Sequence, residues 1–165
     1  MTKQELGELI VLKKTTMWRV SLSILGNETD CEDAIGNTIV KAFEKLENLK
    51  EDKFAGTWLI RILINECYNI QRENSRRLTK EEPLNENTEE LQYADHNLDR
   101  ISKSEETQKL FECVKSLPLE LRIPVILHYI EGYPVKKIAL LQEIPEGTVK
   151  SRLKKAREEL KKMLD

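Results

Sequence analysis

The residue types best suited to chemistry lie near the end of the chain. On a helix over 146–163, Thr148, Ser151 and Lys155 share one outward line, and Lys150, Lys154 and Arg157 share a neighbouring one. Short polar side chains near a helix start can reach base edges, while lysines and arginines further along reach phosphates. Gly147 leaves the helix start open to an anion, and Arg152 adds another cation. The opposite face is apolar, with Val149, Leu153, Ala156 and Leu160 at i, i+4, i+7 and i+11. A shorter helix over 135–142 precedes it. That helix offers Ile138 and Leu141 for packing and the small Ala139 for a close crossing, and a turn carrying Ile144 and Pro145 follows. Two helices joined this way form a helix-turn-helix pattern, whose second helix enters the major groove of DNA. Lys161 and Lys162 read as solvated surface beyond the contact.

Bond-making chemistry has no comparable pattern, and no catalytic residue is expected. Asp30 and Asp33 are paired carboxylates and Cys67 is a thiol, but no histidine lies in the first 90 residues to act as a base. There is no glycine-rich phosphate loop. His96 and His128 stand alone, and Cys31, Cys67 and Cys113 are scattered, so no zinc spacing exists. No metal and no cofactor is expected. Three dispersed thiols point to a reduced, cytoplasmic setting. Leu9 to Leu12 is the longest apolar run of the first 14 residues, too short for a signal segment or a membrane span, so no membrane insertion is expected.

The elements that must carry these residues are helical. Charged residues make up 34% of the 165, glycines number 6 and prolines 5, and every proline lies at position 83 or later. The first 82 residues can therefore form long helices. Leu6, Leu9, Ile10, Met17, Val20 and Ile24 recur at helical spacing as far as a stop at Gly26-Asn27. A second helix is expected over 30–46, with Asp30, Glu32 and Asp33 in its first turn and Ile35, Ile39, Ala42, Phe43 and Leu46 as its apolar stripe. A polar loop follows over 47–56. A third helix over 57–77 would bury Trp58, Leu59, Ile62 and Leu63.

Residues 79–106 hold nine acids against three bases and read as an acidic linker. Residues 147–165 hold seven bases against three acids, a basic working surface. Between them a helix over 105–116 ends at Leu117-Pro118, and Pro124 is expected to open the next, which ends near Glu131-Gly132. The fold class is all-α: two small helical domains, 1–78 and 107–165, joined by 79–106. A response regulator with a parallel α/β receiver domain is the competing reading, but the first 80 residues show no alternation of strand and helix.

Four motifs in order carry a family resemblance. They are D-C-E-D-A-I-G-N-T-I-V-K-A-F at 30–43, F-A-G-T-W-L-I-R-I-L-I-N at 54–65 with Arg72 beyond, L-P-L-E-L-R-I-P-V-I-L at 117–127, and G-Y-P-V-K-K-I-A at 132–139 followed by I-P-E-G-T-V-K-S-R-L-K-K-A-R at 144–157. With them, the chain from about residue 16 to 164 resembles RNA polymerase sigma factors of the extracytoplasmic-function group of the sigma-70 family, which keep only regions 2 and 4. The resemblance implies a factor that binds core RNA polymerase and promoter DNA and starts transcription at chosen promoters, in a stress response held in check by a membrane-anchored anti-sigma factor.

It also implies roles for residues. Asp30, Glu32 and Asp33, with Thr38 and Lys41 nearby, would dock on core polymerase, although one of the acids could simply cap its helix. The loop before the third helix and the helix itself would hold the unpaired strand of the −10 element, using Phe54, Arg61, Asn65, Asn69, Arg72, Arg76 and Arg77. Trp58 offers a stacking platform there, though its spacing with Ile62 favours the core. Gly147, Thr148, Lys150, Ser151, Arg152, Lys154, Lys155 and Arg157 would read the −35 element. The linker would thread the polymerase as a nucleic-acid mimic. The chain departs from the family pattern at Gly36, Asn37, Asn69, Lys137 and Lys154-Lys155.

Overall fold

The structure is a computed structural model that describes residues 1–80 and 104–165. The described residues form two compact units, one before and one after the acidic segment. All their regular elements are helical, and the first unit contains no strand among the described residues. That sets aside the α/β receiver reading. The acidic segment lies outside the described residues except at its ends, where Thr79 and Lys80 continue one helix and Glu105 and Glu106 open another.

The first unit packs three helices: α1 (Lys3–Leu25), α2 (Glu28–Glu44) and α3 (Ala55–Lys80). α1 starts three residues before the expected Leu6, because Thr2 and Glu5 form a capping box. The Thr2 hydroxyl accepts from the Glu5 N–H at 3.1 Å, and the Glu5 carboxylate accepts from the Thr2 N–H at 2.7 Å. Gly26 ends α1 with φ 82°, a left-handed conformation that suits glycine. Asn27 then caps α2, its side-chain oxygen accepting from the Asp30 N–H at 2.9 Å. Short 3-10 turns at Leu46–Asn48 and Asp52–Phe54 fill the expected loop.

The buried face of α2 is not the expected one. Cys31, Ala34, Thr38 and Ala42 face the core, while Ile35 and Ile39 are half-buried and Phe43 is 36% exposed. The buried line is rotated by about 80° from the apolar stripe. Small side chains let α2 approach α1 and α3 closely, and the bulk of the core comes from those neighbours: Leu6, Met17, Val20 and Leu22 from α1, and Leu59, Ile60, Leu63 and Ile64 from α3. The buried face of α3 is likewise shifted. Trp58 and Ile62 are half-buried rather than central.

Cys31 and Cys67 are fully buried in this core. Burial is the main reason the Cys31 thiol is pushed up to about 11 from its ordinary 9.0, and burial raises the Cys67 thiol as well. Both stay protonated near neutrality. Since the folded state favours the neutral thiols, their contribution to stability is intact below pH 9 and fades as pH climbs toward 11. Cys113 is partly exposed. At pH 8 the native protein should therefore react quickly with an alkylating reagent at Cys113 alone. Equally fast labelling of Cys31 or Cys67, read by peptide mass, would contradict this packing.

The second unit comprises α4 (Glu105–Ser116), α5 (Leu119–Val125), a wide turn (Ile126–Ile130), α6 (Val135–Gln142) and α7 (Glu146–Leu164). The expectation for Pro124 is corrected: α5 begins at Leu119 behind Pro118, and Pro124 sits inside the helix. Proline there removes one helical hydrogen bond and crowds the preceding turn. The chain then widens, and the Glu131 N–H reaches back five residues to the Ile126 carbonyl at 3.0 Å. Gly132, at φ 75°, turns the chain out. Ile138, Ala139 and Leu141 of α6 meet Val149, Leu153 and Ala156 of α7 in the core, as the sequence pattern requires. Glu143 holds the left-handed turn between them at φ 57°.

Candidate nucleic-acid interface

α7 presents its polar face to solvent. Gly147, Lys150, Ser151, Lys154 and Lys155 are exposed, and Thr148 is half-buried. A Cβ at Gly147 would meet nothing within 4 Å, so the helix start is open to an approaching ligand. The Ser151 hydroxyl donates to the Gly147 carbonyl at 3.0 Å and keeps its lone pairs for an outside donor. Two expected contacts point elsewhere. Arg152 is half-buried and lies 4.0 Å from the Glu120 carboxylate of α5. Arg157 donates to the Tyr129 hydroxyl at 3.1 Å and lines an open apolar groove with Leu110, Phe111, Ile130 and Leu160. Arg157 keeps its place on the helical line of Lys150 and Lys154, but its guanidinium is engaged by Tyr129, as that of Arg152 is by Glu120.

α3 carries a second polar stripe. Arg61, Asn65, Asn69, Arg72 and Arg76 are all exposed. They fall within about 80° of one another around the helix and span about 22 Å along it. Arg72 donates to the Asn69 side-chain oxygen at 2.5 Å. Phe54 stands at the head of the stripe, 55% exposed, with the Lys53 ammonium 5.0 Å above its ring. An exposed aromatic ahead of a polar, cationic track is the arrangement that stacks bases and follows a single-stranded backbone. Arg77 lies off the stripe and pairs with Glu73 at 3.5 Å.

The five residues expected on α2 divide. Glu32 and Asp33 are exposed, on the side that also shows Gly36, Asn37 and Val40. Thr38 is a correction. It is wholly buried and its hydroxyl donates to the Ala34 carbonyl at 2.6 Å, so it offers nothing to a partner. Lys41 forms an ion pair with Glu66 of α3, whose side chain is only 7% exposed. Asp30 turns inward, accepting from Asn27 and from Asn74 of α3, each at 2.9 Å. Glu66, Asn74 and Tyr129 were missed by sequence reasoning. Only Glu66 left a signal, as an acid amid the apolar run of α3 opposite the lysine of α2.

Among the described residues no cluster of His, Cys, Asp or Glu could hold a metal ion, and no helix is long and apolar enough to cross a membrane.

Comparison with known proteins covers both units. The family model of sigma-70 region 2 matches residues 12–77, and that of sigma-70 region 4 matches residues 107–160. The extracytoplasmic-function (ECF) RNA polymerase sigma-E factor of Haemophilus influenzae is 29% identical over 138 residues, 80% of this chain and 73% of that protein. The ECF RNA polymerase sigma factor SigE of Mycolicibacterium smegmatis is 30% identical over 158 residues, 95% of this chain and 60% of that protein. Among solved structures, the sigma factor RpoE of Bartonella quintana, crystallised with the anti-sigma factor NepR, matches with a TM-score of 0.77 at 22% identity, covering 98% of this chain and 97% of that one.

Proposed function

The chain belongs to the sigma-70 family, and from that membership we propose how its surfaces divide the work of an ECF-type sigma factor in promoter-specific transcription initiation. The first domain, over 1–78, docks on core RNA polymerase through Glu32 and Asp33. It holds the unpaired −10 strand along the α3 stripe. The second domain, over 107–165, reads the −35 duplex with Ser151, Lys150, Lys154 and Lys155 of α7. The acidic segment 79–106 links the two. The protein does no covalent chemistry itself and works in the cytoplasm. An anti-sigma factor of the kind crystallised with the Bartonella relative holds it inactive until stress releases it. The observation that supports this reading best is the occurrence in one chain of region 2 and region 4, each with an exposed polar and basic helical face.

The experiment is binding of the full chain, with core polymerase, to promoter fragments that the wild-type protein selects from genomic DNA. Lys155→Ala should weaken binding about tenfold and flatten the salt dependence by about one unit of slope, as loss of a phosphate contact does. Core binding should not change. Arg157→Ala, whose guanidinium sits over the apolar groove, should leave the slope as it is. Unchanged promoter affinity of Lys155→Ala would remove α7 as the reader.

A further inference from the structure

α3 outruns the core that holds it. Cys67 is the last fully buried residue on it, yet the helix continues to Lys80. Arg72 and Arg76, two of the cations of the stripe, both stand on this overhang. Beyond Cys67 only Tyr68, Ile70, Gln71 and Asn74 among the described side chains are even half-buried, and a helix held this loosely at its far end leaves the ordering of its exposed side chains to the ligand. A polar contact ties the overhang back. The Asn74 amide nitrogen donates to the Asp30 carboxylate at 2.9 Å. The same carboxylate oxygen accepts from the Asn27 amide at 2.9 Å, and the Asn27 side-chain oxygen in turn caps the Asp30 N–H. The acid is held from two sides by neutral donors, and both its partners are half-buried. Hydrogen bonds to a carboxylate are among the stronger ones, and this one links the capped start of α2 to the far half of α3.

We propose that Asn74 is a positioning residue for promoter opening: through Asp30 it fixes the overhang of α3, and with it Arg72 and Arg76, against the start of the polymerase-docking helix. This rests on the reading of α3 as the strand-binding helix. Asn74 touches neither polymerase nor DNA. Asp30, although it sits in the acidic motif, serves α3 rather than the partner, and Glu32 and Asp33 keep the docking role. Asparagine suits the position because its amide donates to the carboxylate without bringing a charge among the neighbouring arginines.

The test uses the full chain with bacterial core polymerase and a duplex promoter recovered by run-off transcription of genomic fragments with the wild-type protein. Asn74→Asp sets two carboxylates against each other. It should lower the yield of open complexes by about tenfold while core affinity stays within about twofold. The exchange Asp30→Asn with Asn74→Asp rebuilds the bond to α3 with donor and acceptor reversed, at the loss of the acceptor for the Asn27 amide, and should recover most, not all, of the lost opening. Asn74→Ala, which removes the bond without adding charge, should show a smaller loss of opening with the same sparing of core affinity. Hydrogen exchange in the free protein should rise at 70–80 in both single variants and fall back in the exchange variant. The proposal is overturned if Asn74→Asp opens promoters like wild type, if the exchange is no better than the single variant, or if core binding and opening fall together. A wild-type protein that opened no promoter at all would overturn the strand-binding reading itself.

Discussion

Lys41→Met is expected to destabilise the first unit by about 3 kcal/mol. Glu66 is 7% exposed, and its carboxylate is paired with the Lys41 ammonium. Removing the ammonium leaves a charge inside the bundle without a partner. Lys41 itself is 39% exposed, so water can reach part of the vacated space, which places the effect at the lower end of the usual range for broken buried pairs. The double variant Lys41→Met with Glu66→Met should recover most of the loss, because a well-packed apolar pair needs no compensation for desolvated charge. Both tryptophans, Trp18 and Trp58, lie in the first unit, so their fluorescence follows its unfolding in urea without interference from the second. Equal stability of Lys41→Met and wild type would show that the pair carries no weight. A double variant weaker than the single one would show that the site tolerates charge better than carbon.

Charge reversal at the outer face of α2 should have the largest functional effect. Glu32→Lys with Asp33→Lys replaces two exposed acids with bases, and a surface that receives acids then meets like charge. Juxtaposed like charges cost several kcal/mol, so core-polymerase affinity should fall by about a hundredfold or more. The loss should shrink as salt is raised, since Glu32 and Asp33 stand on the solvent-exposed surface. Stability should change by less than about 1 kcal/mol, the scale of the helix-dipole interaction lost near the start of α2. Asp30→Ala should behave in the opposite way, lowering stability through Asn27 and Asn74 with less effect on docking. Undiminished co-purification of the reversed variant with core polymerase would discard this face as the docking surface.

How much of this was legible in the sequence varied with local punctuation. In the second unit α4 and α6 match their expected limits, because Pro118 and Pro134 sit at their borders and proline constrains both itself and its predecessor. The described residues of the first unit contain no proline, and its helix limits moved by a few residues. The capping box of Thr2 and Glu5 was present in the sequence as T-x-x-E and would have placed the start of α1 correctly. The face of α2 was misread for a different reason. Apolar periodicity weighs hydrophobicity, whereas this helix is buried along its small residues, and size decides how near a helix can come to its neighbours. Pro124 does not open a helix because it stands late in a short one, where a proline costs a single hydrogen bond to the preceding turn and the helix is already set by Pro118 at its border.

The candidate site was legible as a set of residue types and only partly as a set of directions. The exposed lysines of α7 follow from helical spacing, whereas the residues from Arg61 to Arg77 on α3 are marked only by the family resemblance, and Arg77 falls off the stripe. Which acid of the motif faces outward does not. Asp30 is turned inward by Asn74, 44 residues away, and Lys41 by Glu66, 25 residues away. Arg157 shares a helical line with Lys150 and Lys154, yet Tyr129 holds it over the groove. Such choices depend on tertiary neighbours that no periodicity records.

Whether this chain gives core polymerase its choice of start sites is measured by run-off transcription of fragmented bacterial genomic DNA. Core RNA polymerase alone and core supplied with the full chain are compared by mapping transcript 5′ ends. A new, discrete set of starts is expected with the protein present, preceded by shared −35 and −10 sequences and lost with Glu32→Lys/Asp33→Lys. Transcript ends identical with and without the protein would contradict it.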